Sequence, residues 1–396
     1  TALYRRPPDR CRSFQIFGFV LDLLMIHVIE TQAALDASCG EAAQKPWVGL
    51  DTEFERIRTY YPRLCLIQMS TPEMTVCIDP LVDLDFSPLH SLLVNPGVVK
   101  IFHAARQDLE VLHTALGISA TPLFDTQIAA QLCGYREQIA YAELAKYVCE
   151  IDLPKQHTRA AWCRRPLSGA EVNYALDDAR YLGAIYLDLK RRLETLGRDS
   201  WVREDCERLT GPAILASGPN RAIKKIQSGA RDFDRAGQSI AFQLALWREE
   251  TAQSRDRPRE WILNSKTLLA IAATQPGNAA ELEKIPELSA SDRRRWSSAI
   301  LAAVKAGANH AAEYQPLAAS ARPSTEQKRT ERLLWERLKV VCETVDIPTV
   351  AVAAREDIRK LARGEQDIRL LQGWRRQFAG RDLRDLAVRE GAGFTC

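Results

Sequence analysis

The sequence predicts an α/β domain, a mixed sheet flanked by helices, followed by two all-α helical units. Three observations carry this. Between Val28 and about Leu196, short runs rich in β-branched and apolar residues alternate with amphipathic stretches. After Leu196 no run has convincing strand character. The helical remainder divides into two stretches of similar plan, each preceded by a linker-like segment. The chain has 396 residues, enough for roughly two to four domains. Its 46% hydrophobic and 27% charged residues exclude a wholly disordered or membrane-embedded chain.

In the first domain, VGLDTEF, LCLIQMS and TVCID are separated by polar or Pro-containing breaks and read as three consecutive strands, an antiparallel meander. Leu89, Leu92 and Leu93 suggest a short helix, VVKIF a fourth strand, and ARQDLEVLHTAL a helix with Leu109, Leu112 and Leu116 on one face. DTQIAAQLC, YAELAKYVC and the long stretch from Ser168 to Leu196 read as further helices. Ser168 is a good N-cap for the last, with Glu171 at the capping-box position.

Residues from Gly211 to Asn220 read as a linker. A helical unit follows from about Ile223 to Gly307, broken at Pro258, Pro276-Gly277 and Pro286. After a second linker, Thr325 to about Arg389 form another unit, broken at Pro348 and Gly364. Each opens with a Trp-bearing helix (Trp247, Trp335) and has a Trp near its end (Trp296, Trp374), which suggests a tandem repeat. The expected boundaries are 25–210, 211–310, a linker at 311–324, and 325–396.

Arg5, Arg6, Arg10 and Arg12 precede the apolar stretch starting at Phe14, in the manner of a signal peptide. Asp22 interrupts the run, no small-residue cleavage site follows, and the run is short of the ~20 residues of a spanning helix. The expectation is a natural start at Met25, with 1–24 an upstream extension and no membrane association. The ten cysteines form no CxxC pair and no Cys/His cluster of zinc spacing. Several, such as Cys65 and Cys77, lie in apolar runs where free cysteine acts as a small hydrophobe, which fits a reducing cytoplasm.

The net charge of +3 conceals an asymmetry. Residues 1–200 hold 21 Lys+Arg against 25 Asp+Glu, and residues 201–396 hold 33 against 26. A basic half beside an acidic half suits an anionic partner, although a solvated surface of mixed charge has the same composition.

Three segments carry candidate chemistry. Asp51 and Glu53 sit two apart on a strand, so their carboxylates share a face. Such a pair repels itself unless a cation lies between, and an oxygen-rich site suits magnesium or manganese. Asp108 opens an amphipathic helix after a strand. Tyr174 and Asp178 stand one helical turn apart on one face, with Asp177 turned away. Taken singly, each reads better as an ordinary structural feature, respectively a surface pair, a helix cap and a salt-bridged acid.

In that order, the three segments resemble the Exo I, Exo II and Exo III motifs of the DEDD exonucleases, tyrosine subclass. The flanking LDTEFERIRTYYPRLCLIQM, KIFHAARQDLEVL, LFDTQIAA and TRAAWCRRPLS narrow the resemblance to the ribonuclease D family, over roughly Met25 to Leu196. The later units resemble the two HRDC domains of that family, the GWRR stretch at 373–376 fitting the second. The resemblance implies a ribonuclease-H-like exonuclease domain, a monomer, and 3′→5′ hydrolysis of RNA, tRNA precursors above all. It also implies two Mg2+ or Mn2+ ions held by Asp51, Glu53, Asp108 and Asp178, with Tyr174 orienting the attacking water.

Further candidates for substrate contact are His103 and Gln107, beside Asp108, and Lys155, Arg159, Trp162, Arg164 and Arg165 in a basic loop before the Tyr174 helix. Cations and an aromatic together suit a single strand. His103 reads equally as a packed strand-end residue, and Trp162 as the loop's anchor to the core. Asp125 reads as a helix N-cap. A DNA-directed exonuclease and an inactive nucleic-acid-binding module are the competing functions. The complete acidic set argues against the second.

Overall fold

The computed structural model describes residues 28–154, 160–210, 217–316 and 324–393. The proposed 1–24 extension, Lys155 and Arg159 lie outside them. The first domain is built on a six-stranded sheet in the order β1-β4-β3-β2-β5-β6. The strands are β1 Val28–Ile29, β2 Trp47–Glu55, β3 Arg63–Ser70, β4 Thr75–Ile78, β5 Val99–Phe102 and β6 Leu123–Asp125. β2, β3 and β4 form the antiparallel meander, and β5 and β6 add in parallel to β2. The mixed sheet agrees with the expected class. The edge strands β1 and β6 were not anticipated, because two or three residues carry no readable period.

Helices cover both faces: α1 Gln32–Ala42, α2 Ser87–Val94 and α3 Arg106–Leu116 on one, and α6 Gly169–Arg180 and α7 Leu182–Leu196 on the other. α4 Thr126–Leu132, α5 Tyr141–Cys149 and α8 Asp199–Leu209 lie beyond the β6 edge. Val48 and Leu50 pack into the core under α3, whereas Trp47 packs under α7. Strand alternation then sends Thr52 toward the α3 face and Asp51 and Glu53 toward the α6 face. Two glycines let the α6–α7 corner lie close on β2. A Cβ on Gly49 would meet Ser70 Oγ at 2.4 Å, and one on Gly183 would meet the Trp47 ring at 2.0 Å.

The loop before α6 folds back over β3 and joins Cys163 to Cys65 in a disulfide, with Cα atoms 4.9 Å apart. This corrects the expectation that these two cysteines are free. With the two cysteines 98 positions apart in sequence, only the folded topology reveals the pairing. Cys39, Cys77, Cys133, Cys149, Cys206 and Cys342 are free.

The first helical unit contains α9 Ser217–Gly229, α10 Arg235–Ser254, α11 Arg259–Ile262, α12 Ser265–Thr274, α13 Ala279–Leu282 and α14 Ala290–Asn309. The expected linker at 211–220 is therefore helical from Ser217, and residues 211–216 lie outside the described ones. The second unit contains α15 Thr325–Thr344, α16 Thr349–Val352, α17 Arg355–Ala362 and α18 Gly373–Arg375. A wider turn at Arg376–Gly380 then leads into α19 Arg381–Arg389.

The units share a backbone device. A long helix, α10 in the first unit and α15 in the second, ends in a turn with an aspartate at positive φ, Asp256 (45°) or Asp346 (52°). Two residues later Pro258 or Pro348 caps a four-residue helix. Arg257 N–H donates to Ala252 O (3.0 Å) and Ile347 N–H to Cys342 O (3.1 Å), and these bonds recur at one constant offset. The late tryptophans of the two units pack differently. Trp247 packs edge-on against Trp296 inside the first unit, whereas Trp374 stacks flat on Trp201 of α8, 4.2 Å away.

Both turns dock on the first domain. At the first, Asp256 Oδ1 accepts from the Tyr60 and Tyr61 N–H groups at 3.0 Å each. The Tyr60 hydroxyl bonds Glu249, and its ring lies under the Arg259 guanidinium. At the second, Arg198 donates to Val345 O (2.7 Å) and Leu132 O (2.5 Å). The second unit also shares one apolar core with α4, α7 and α8. Within that seam Arg375, 1% exposed, makes a two-pronged pair with Asp205 at 2.5 and 2.6 Å. Arg375→Ala leaves the buried Asp205 with only the half-exposed Arg369 at 3.3 Å, so unfolding free energy is expected to fall by up to roughly 3 kcal/mol, the low end for a buried charge that loses its main partner. Denaturant unfolding checks this, with Asp205→Ala alongside and the double variant costing less than the sum of the singles.

Candidate active site

Asp51 and Glu53 leave β2 on one face, and Asp178 approaches them from the last turns of α6. One carboxylate oxygen from each of the three lies within 4.8 Å of the others. The β2–β3 register shifts between Glu53 and Phe54. A bulge of this kind re-aims side chains beside a site. Asp108 is not in this trio. It stands in the first turn of α3, where the Thr52 hydroxyl donates to its Oδ1 at 2.6 Å. Thr52, lying between the two strand acids, thus reaches the α3 side of the sheet and holds the fourth carboxylate beside them.

The turn that aims α3 is itself strained and tied down. Ala104 has φ of 58°, and the buried Asp125 accepts from Ala104 N–H (3.2 Å) and Ala105 N–H (2.9 Å). Asp125 also caps α4 through Gln127 N–H (2.8 Å) and Ile128 N–H (3.2 Å), as its sequence position suggests. One aspartate therefore braces two helix starts. The Ser168–Glu171 capping box fixes the start of α6 as expected. The Tyr141 hydroxyl donates to Asp177 O (2.9 Å) and accepts from Tyr181 N–H (3.2 Å), which fixes its end.

The carboxyls resist ionisation. Burial, then the neighbouring Asp108, Asp178 and Glu53, pushes Asp51 well above its ordinary range. Burial, then Asp178 and Asp108, pushes Glu53 to about 8. Burial pushes Asp108 to about 7 against the opposing Thr52 bond, and Asp178 to about 7 against the bond from Tyr174. The Tyr174 phenol is raised too, by burial and then by Asp178 and Glu53. Hard oxygen donors, buried together and repelling each other, suit a divalent cation.

The remaining candidates divide. Trp162 is 3% exposed and stacks on Tyr174, with centroids 6.0 Å apart, so it backs the catalytic tyrosine candidate instead of meeting a base. Arg165 is committed to Asp79 and to the Cys65 and Trp162 carbonyls, and Arg164 to Glu171. The phosphate-contact expectation for Arg165 is corrected accordingly. His103 is the packed strand-end residue, its ring nitrogens 2.9 Å from Thr126 Oγ1 and Ile139 O. Gln107 is exposed on the first turn of α3. Sequence reasoning missed Thr52 and also Gln68, a fully buried amide paired across the sheet from Asp51 with no protein partner for either end. Alternation could have flagged both, since Thr52 interrupts the two acids and Gln68 interrupts an apolar strand.

Each of the four carboxyls has its pKa raised by folding. The metal-free native chain therefore holds more protons than the unfolded chain between the ordinary carboxyl range near ~4 and about 7 to 8. Their contribution to stability is full below that window and is lost as pH rises through it. Thermal unfolding in chelator should accordingly show a falling Tm from mildly acidic to mildly alkaline pH. Magnesium should raise Tm more at the alkaline end, and Glu53→Gln should flatten the chelator profile. A chelator Tm that climbs with pH would contradict this.

The 3'-5' exonuclease family matches residues 26–194, and the HRDC domain family matches residues 238–304. Ribonuclease D of Jannaschia sp. is 37% identical over 366 residues, covering 90% of this chain and 94% of that protein. Ribonuclease D of Nitrobacter hamburgensis is 34% identical over 367 residues, covering 92% and 95%. The crystal structure of Escherichia coli RNase D superposes with a TM-score of 0.84 at 28% identity, covering 93% of this chain and 100% of that one. With the acidic site on a mixed sheet, an HRDC unit behind it and likeness along nearly the whole chain, this chain belongs to the ribonuclease D family of 3′→5′ exoribonucleases.

Proposed function

We propose that the chain trims RNA from the 3′ end to nucleoside 5′-monophosphates, with Asp51, Glu53, Asp108 and Asp178 holding two divalent ions, magnesium or manganese. The observation that carries this reading is the convergence of Asp51, Glu53 and Asp178 within 4.8 Å, with Asp108 held beside them by Thr52. When bound, the ions acidify water and neutralise the charge that develops on the leaving 3′ oxygen. The chain's own residues do the rest. The carboxylates fix where phosphate can sit, because without cations they repel it. The Tyr174 hydroxyl, bonded to Asp178, stands at the edge of the cluster, where it can hold a water in line. A phenol's ordinary pKa of ~10 keeps Tyr174 protonated at neutral pH, so Tyr174 positions and does not abstract the proton. These assignments put the chain in the tyrosine subclass.

The second unit fits a second HRDC domain, since its turn repeats that of the first. The substrates this favours are structured RNA precursors, tRNA above all. The E. coli relative is described as involved in structured RNA processing. We place the activity in a cytoplasmic monomer. Matched RNA and DNA oligonucleotides separate this reading from a DNA-directed exonuclease.

End-labelled RNA, incubated with and without magnesium and read by product length, tests the direction and the metal. Shortening from the 3′ end alone is expected, abolished by chelator, and full activity in excess chelator would overturn it. Asp178→Asn should lower kcat at least ~10²-fold, as the loss of one preorganised electrostatic group does. Tyr174→Phe keeps the ring against Trp162 and removes the hydroxyl. Its single-turnover rate should fall about 10²-fold with thermal stability retained. A wild-type rate would remove Tyr174 from the mechanism.

A further inference from the structure

β2 does not stop at the acidic cluster. It runs on through Glu55 into the loop Arg56–Pro62, which carries the first helical unit through Tyr60. Docking sets two short segments against each other, ERIRTYYPR from the loop (55–63) and RDRPREW from the unit's turn (255–261). Both interleave arginines with aromatics.

Most acids at this seam are held by internal partners, and Glu55, which heads the loop segment, accepts from the Cys163 N–H at 3.1 Å. Glu249 pairs with Arg259 and accepts from Tyr60, Asp256 accepts two backbone N–H groups, and Glu110 pairs with Arg56. Glu260 accepts from Ser265 and pairs with Arg248. Arg58, Arg63 and Arg257 remain exposed and make no ion pair among the described residues. The aromatics divide in the same way. Tyr60 is pinned, whereas Tyr61 and Trp261 are exposed at 41% and 55%, beside Ile57 at 71%. Trp261 lies two residues from Arg259, whose guanidinium covers Tyr60 at 5.0 Å. An exposed tryptophan, an exposed tyrosine and three uncompensated arginines make a surface for a strand with negative phosphates and flat bases. At ~3.3 Å per strand residue, Arg58 lies on the order of 16 Å along the chain from Glu53.

We propose that this seam is a platform for the single-stranded RNA behind the 3′ end, on which Trp261 and Tyr61 stack bases and Arg58, Arg63 and Arg257 contact phosphates. The inference rests on the exoribonuclease reading and adds to it a length preference. A strand long enough to reach the seam gains contacts that a dinucleotide in the acidic site cannot make. The platform is composite, since neither the exonuclease domain nor the first helical unit holds all of it.

Full-length protein with magnesium is assayed on an RNA dinucleotide and on an unstructured RNA of about twenty nucleotides. The preference for the long strand, as the ratio of the two kcat/KM values, should fall about tenfold in Trp261→Ala, the scale of one lost stack. Trp261→Phe, which keeps a flat ring, should recover most of it. In Arg58→Ala/Arg257→Ala, the slope of log affinity against log salt should shrink by about 1.4, at ~0.7 per phosphate contact on a single strand. Affinity is read by fluorescence anisotropy in chelator, where no cleavage occurs. That arm reports on the surface even if the assigned reaction is wrong. A length preference and a salt slope equal to wild type in these variants would overturn the platform. So would an equal loss in Trp261→Ala and Trp261→Phe, which would mark Trp261 as a local packing residue.

Discussion

Holding several carboxylates together in a partly dry place is the constraint on which the rest of this structure depends. Each acid raises the cost of ionising the others, and burial raises it further. Unfolded, the same groups would separate and ionise freely, so the scaffold has to oppose their repulsion with contacts made elsewhere. The nearby devices serve that end. Gly49 and Gly183 bring the α6–α7 corner down on β2. The Cys65–Cys163 bond ties the loop before α6 to β3. Asp125 braces the turn that aims α3, and Thr52 takes hold of Asp108 directly. The site is a set of acids brought together by neighbours, none of which need touch a substrate.

Much of this was legible in sequence because it is local. Alternation along β2 gives the shared face of Asp51 and Glu53, helical spacing gives that of Tyr174 and Asp178, and cap chemistry gives Ser168, Glu171 and Asp125 their roles. What stayed hidden is what depends on distant parts of the chain meeting. The Cys65–Cys163 bond and the Arg375–Asp205 pair span long separations, and nothing near either residue announces its partner. The basic loop before α6 misled for the same reason. Its Arg165 and Trp162 have the right chemistry for RNA, but the fold spends one on Asp79 and the other on Tyr174. The exposed arginines at the first docking turn lie in segments that look unremarkable until they are seen together.

The repeated turn shows how one backbone device serves two attachments of different character. In each unit an aspartate in the left-handed region breaks the long helix so that the next element can reverse against the first domain. The first copy offers its carboxylate to the backbone of a loop, a polar and partly wet contact. The second copy presents a backbone carbonyl to a buried arginine and then merges its core with that of α4, α7 and α8.

That difference in character sets an order of release. A seam of hydrogen bonds around one tyrosine can open while the sheet, its helices and the second unit stay whole, because little apolar surface is uncovered when it parts. A seam continuous with the main core can open only as that core melts. The first unit can therefore part from the sheet with its own core intact, whereas the second cannot leave without opening the core it shares with α4, α7 and α8.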